Sequence, residues 1–173
     1  MDAKKFSMNY GAFLGLCLVA VAVLLDAFGI DEQESIVPAF FNSLIIIVGL
    51  SYSITQFRDT ISGGFISYSS SLKLGTTVAF FSSIILAFYT FINVSYINPD
   101  FIPNLLLETE QAILQSNPEI SDEDLDMSMK MTAKMMQPHW MLIMGMLGGT
   151  FMGFIYSLII SLFTKKDNPD LIS

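Results

Sequence analysis

Charge is scarce in this chain. Asp, Glu, Lys and Arg make up 14% of its 173 residues, where soluble domains average roughly a quarter. A domain of this size in water needs a charged shell, so the composition argues against a conventional cytosolic enzyme. Bases are scarcer still: 8 Lys and Arg stand against 16 Asp and Glu, a net charge of −8. An acidic chain is a poor partner for phosphate backbones, and nucleic-acid binding is set aside. One cysteine and one histidine exclude an internal disulfide framework and any cysteine-based zinc site. Disorder is excluded by the opposite feature. Hydrophobic residues make up 53% of the chain, too many for a solvated coil.

The missing charge is concentrated in four intervals. Lys5 to Asp26 encloses 20 uncharged residues, Glu34 to Arg58 encloses 23, Lys73 to Asp100 encloses 26 and Lys134 to Lys165 encloses 30. A helix rises about 1.5 Å per residue, and roughly 20 apolar residues cross a hydrocarbon core. Each interval holds one span and is too short for two. The apolar centres run Tyr10–Leu25, Val37–Phe57, Leu74–Val94 and Trp140–Phe163. Pro38 and Pro138 suit the first turns of the second and fourth helices, where a missing N–H does no harm. Pro99 and Pro103 are expected to stop the third. The first segment also resembles a signal peptide, with Lys4 and Lys5 as its basic region. Its apolar run continues to Leu25 without a small-residue cleavage site, so a retained span is expected. The fold class that follows is an all-α integral membrane protein. Residues 1–173 form a single domain of four transmembrane helices, and 100–138 form an acidic, Met-rich insert between the third and fourth.

Sorting the charges by side orients the chain. The N terminus, the loop 58–73 and the C-terminal tail hold six bases against four acids. The other side holds twelve acids against Lys130 and Lys134. Basic residues stay cytoplasmic, so both termini are expected in the cytoplasm and the insert on the far side. Within the insert, Asn104 is expected to cap a helix over Leu105–Gln115, with Leu105, Leu106, Ala112 and Ile113 on one face and Asn117-Pro118 ending it. Ser121 caps a second helix whose first turn carries Asp122, Glu123 and Asp124, charges that complement the helix dipole. Together they read as an amphipathic helical hairpin, able to lie on the bilayer or dock against a partner.

Nine of the 11 methionines fall between Met127 and Met152. Met-x-Met spacing can hold Cu(I) through soft thioethers, with His139 and Cys17 as further ligands. Packing is the preferred reading, because unbranched Met fills irregular helix surfaces. Met127, Met131 and Met135 share one face and suit a packing stripe. No metal or cofactor is assigned. Consecutive acids at a helix start cap far more often than they bind metal, and no catalytic constellation is present.

The most specific pattern lies in the fourth span. Gly145, Gly149, Gly153, Ser157 and Ser161 recur every four residues, a continuous small-residue groove. Lipid tails give helices no hydrophobic reason to meet, so close backbone approach drives packing. Gly11 and Gly15 mark a second small face on the first span. The two faces are candidates for contact with one another, with a homo-oligomeric seam as the alternative. Asn42 and Asn93 are the notable polar groups within spans. Single interhelical hydrogen bonds are favoured over a shared polar vestibule. No ionisable group occupies an apolar centre, which weakens a transporter or channel reading. Gly63-Gly64 reads as a tight turn, and Ser69–Ser71 as an interfacial turn ahead of the third helix.

The order of motifs carries a resemblance. Gln56-Phe57-Arg58-Asp59 ends the second span. Gly63-Gly64-Phe65-Ile66-Ser67-Tyr68 and Lys73-Leu74-Gly75 follow, then Asn98-Pro99-Asp100-Phe101, the Met-rich acidic helix and the Gly-rich last span. Over nearly its whole length the chain resembles an uncharacterised membrane-protein family of Bacteroidota, catalogued as domain-of-unknown-function family 4199. The resemblance implies a bacterial inner membrane and no transferable catalytic residue. Its association with polyprenyl-phosphate glycosyltransferases implies at most an accessory role in the envelope. The expected function is therefore a non-catalytic accessory, scaffold or regulatory subunit with a protein partner or a second copy. A small transporter or channel formed by oligomerisation is the alternative. An enzyme of lipid-linked glycan metabolism ranks last.

Overall fold

The computed structural model describes residues 2–29 and 36–167. Asp31, Glu32 and Glu34, counted above on the acidic side, lie outside them, as does Asp170. Among the described residues there are six α-helices: α1 (Ala3–Ala27), α2 (Val37–Thr60), α3 (Tyr68–Ile92), α4 (Phe101–Ser116), α5 (Asp122–Met135) and α6 (Pro138–Thr164). A π-helical turn, Asn93–Ile97, continues α3. Four helices are long and apolar enough to cross a membrane: α1, α2, α3 with its π-turn, and α6. They coincide with the four charge-free intervals. Each begins or ends a few residues beyond the apolar run, because a helix continues past the hydrocarbon wherever no breaker intervenes.

Two compact units divide the chain. One lies within Met1–Leu86 and Met146–Ser173, the other is Ala87–Gly145. The second is wider than the 100–138 segment, since it takes in the end of α3 and the start of α6. The core of the first unit is built from all four long helices: Phe6, Leu14 and Leu18 of α1, Leu50 and Ile54 of α2, Leu74 and Val78 of α3, and Ile160 of α6. An aromatic cluster fastens α1 to α2. Phe6 lies on Tyr10 with centroids 4.1 Å apart and meets Phe57 edge-on at 5.2 Å. Several hydroxyls within the spans find partners in their own helices. Ser7 donates to the Ala3 carbonyl, Ser53 to Gly49, Thr76 to Leu72 and Thr150 to Met146. Where no water competes, that i−4 bond is the cheapest way to satisfy a hydroxyl.

Exposure decides what solvates the molecule. Only 17–33% of each apolar stretch is buried within the chain. Phe13, Leu147, Phe151 and Phe163 are all more than 60% exposed. Rings and branched chains laid bare over whole helices are costly in water and ordinary in hydrocarbon.

Several local expectations are corrected. Pro103 does not stop α3; it sits in the first turn of α4, where an N–H has no intrahelical partner to lose. Asn104 is consequently inside α4 rather than its cap, and the helix begins at Phe101 behind Asp100. Ser69–Ser71 form the first turn of α3 rather than a separate turn. Ser67 is the residue that accepts from the Ser70 N–H, at 3.3 Å. Gly63 and Gly64 make the expected tight turn, with φ of +66° and +87°. Pro38 and Pro138 stand in the opening turns of α2 and α6. Ser121 caps α5 by accepting from the Asp124 N–H at 3.2 Å.

Ile66 and Lys166 exchange backbone hydrogen bonds of 2.9 Å in both directions. This two-residue antiparallel bridge ties the α2–α3 loop to the chain after α6. Arg58 joins it by donating Nη1–H to the Thr164 carbonyl at 3.1 Å, while its Nε and Nη2 hold Asp59. The Lys166 ammonium lies 5.4 Å from the centre of the Phe65 ring.

Candidate functional site

The small residues of α6 meet a matching row on α3. An added Cβ at Gly149 would lie 2.7 Å from the Ser83 Cβ. One at Gly153 would collide with the Ala79 Cβ, and one at Gly75 would lie 2.5 Å from the Ser157 Oγ. In the second unit, Gly145 faces Ala87 at 3.4 Å. Each step of four along α6 matches a step of four backwards along α3, so the helices run antiparallel at backbone distance. Continued one turn further, the register sets Ser161 against Ser71, and both are fully buried. The α3 half of this seam (Ser71, Gly75, Ala79, Ser83, Ala87) is itself a four-residue repeat in the sequence. It escapes notice because serine and alanine stand out less than glycine.

The two candidate faces do not pack against each other. Gly11 faces Val78, Phe81 and Ser82, and Gly15 faces Ser82 and Ile85. Both small-residue rows therefore bear on α3. Sequence spacing marked the thin faces but not which neighbour each one meets.

The two ends of the seam differ chemically. Ser83 donates to its own helix at Phe80 and lies 3.2 Å from the Met146 carbonyl and 3.0 Å from the Thr150 hydroxyl. Ser71, Ser157 and Ser161 are buried with no hydrogen-bond partner for their hydroxyls among the described residues. Of the two asparagines, Asn93 donates to the Tyr89 hydroxyl at 3.2 Å, within the second unit. Asn42 is half-buried on α2, in the first unit.

In the second unit α4 packs against α5. Leu125, Met129 and Thr132 are half-buried on α5, as is Met136 just beyond its end. Met127, Met131 and Met135 are not a packing stripe within this chain. They are 58%, 64% and 57% exposed, because Leu125 and its helical neighbours occupy the covered face. Among the described residues no group of three His, Cys, Asp or Glu side chains is placed to hold a metal ion. Asp122, Glu123 and Asp124 are exposed first-turn residues of α5. Cys17 is half-buried beside an apolar groove of about 380 Å³ between α1 and α2.

At one end of the first unit the loops meet. The α2–α3 connection bonds to the chain after α6, and Phe57 touches Phe6 near the start of α1. Lys4, Lys5, Arg58, Lys73, Lys165 and Lys166 are thereby gathered at one end.

Residues 9–166 match the family model described as "Protein of unknown function (DUF4199)". Neither the curated proteins nor the solved structures contain a significant match. The chain belongs to that family.

Proposed function

We propose that this member of the family is a non-catalytic, multi-pass accessory or scaffold subunit of a bacterial inner membrane, with both termini in the cytoplasm. The observation that carries the reading is the outward methionine row of α5. Met127, Met131 and Met135 stand exposed on a helix whose other face is covered. Flexible, polarizable thioethers suit surfaces that adapt to a partner. The six bases gathered at one end support the orientation, since Lys and Arg flanking spans are retained in the cytoplasm.

A photoreactive amino acid at position 131, irradiated in native membranes, tests the reading. A discrete adduct is expected, either with a second protein or with another copy of this chain. Absence of any adduct, together with a monomeric protein in mild detergent, contradicts it. Solute flux across vesicles holding the purified protein would favour a transporter instead.

A further inference from the structure

The first unit carries a groove of about 580 Å³ between the starts of α1 and α3. Its lining is part basic and part aromatic. Lys4, Ser70 and Lys73 line it together with Phe57, Phe80 and Phe81. The register of the two helices explains the arrangement. Gly11 beside Val78–Ser82 and Gly15 beside Ser82–Ile85 make α1 and α3 parallel. The same offset brings Lys4 level with Lys73. Phe80 lies seven residues beyond Lys73, about 10 Å deeper along the helix.

Both lysines are exposed, and neither forms an ion pair among the described residues. Ser70 accepts a hydrogen bond from the Ser67 hydroxyl, which leaves its own O–H to donate. Two cations and a free donor at the level where the hydrocarbon spans begin, above an aromatic wall, match an amphiphile with a negative head.

We propose that this groove binds an anionic phospholipid from the leaflet on the N-terminal side. The phosphate sits between Lys4 and Lys73, and an acyl chain lies along Phe80 and Phe81. A free phosphate would leave the aromatic wall unused. A zwitterionic lipid would bring its own cation against the two lysines. The proposal rests on the membrane-crossing helices and not on the partner-docking reading, so either can fail alone.

Native mass spectrometry of the full-length protein in detergent tests it, with phosphatidylglycerol, phosphatidylcholine and inorganic phosphate as probes. Phosphatidylglycerol is expected to bind on the order of ten-fold more tightly than phosphatidylcholine. Each basic residue near an anionic surface is worth about five-fold in binding, so K4Q/K73Q should lose about 25-fold. K5Q/K165Q removes two cations from the same end and should change binding less than two-fold. K4R/K73R should retain phosphatidylglycerol, which separates lost charge from lost folding. Equal binding of the two lipids overturns the proposal without any variant. So does wild-type affinity in K4Q/K73Q, an equal loss in K5Q/K165Q, or inorganic phosphate that displaces phosphatidylglycerol at equal concentration.

Discussion

A single methyl group is the finest probe of the α3–α6 seam. At Gly148 an added Cβ meets nothing within 4 Å, and at Gly145 it meets Ala87 at an ordinary 3.4 Å. At Gly149 it would press on the Ser83 Cβ at 2.7 Å, and at Gly153 it would overlap Ala79. Alanine at positions 148 and 145 should leave thermal stability nearly unchanged. Gly149→Ala and Gly153→Ala should each cost about 1–3 kcal/mol, the usual penalty for overpacking. Melting of the four variants in one detergent checks the order, and four equal melting temperatures contradict the seam. The residues of α6 were legible in the sequence because glycine repeats at fixed spacing have few other uses in a span. Their partners on α3 were not, since Ser71, Ala79 and Ser83 are unremarkable singly. The same limit misdirected Gly11 and Gly15: small residues mark where a helix is thin, and only the packed structure says which helix takes the space.

At the scale of elements, legibility depended on whether the signal was local. Pro38, Pro138, Gly63-Gly64 and Ser121 act through their own backbone geometry, and each stands where its chemistry placed it. Pro103 misled because proline is equally at home after a helix and in the first turn of the next. The Ile66–Lys166 bridge joins segments remote in sequence, and nothing near either residue announces the other. The Ser121 cap makes a measurable claim. It satisfies the Asp124 N–H at the start of a helix with strongly polar residues and no buried side chain. Ser121→Ala should destabilise α5 by about 1 kcal/mol. Hydrogen exchange should then speed up at the first-turn amides of α5 by about five-fold, while α3 and α6 amides are unaffected. Unchanged exchange in α5 would mean that packing on α4, rather than the cap, holds that end.

For the whole molecule, the partition between hydrocarbon and water was the most legible property. It depends on summed composition over about 20 residues rather than on any one contact. The chain order of four spans with a helical segment between the last two follows from that sum. The charge sort was legible for the same reason, and the bridged loops bring its basic members to one end. What the sum does not contain is the order of packing, in which α3 takes small-residue faces from both α1 and α6. The central claim is that the backbone crosses the bilayer four times. Single cysteines in a Cys17→Ser background, labelled in sealed vesicles with an impermeant maleimide, test it most directly. Cysteines replacing Ser69 and Lys165 should react from one side only, and those replacing Phe28 and Gln137 only from the other. Labelling of all four from the same side would contradict the account.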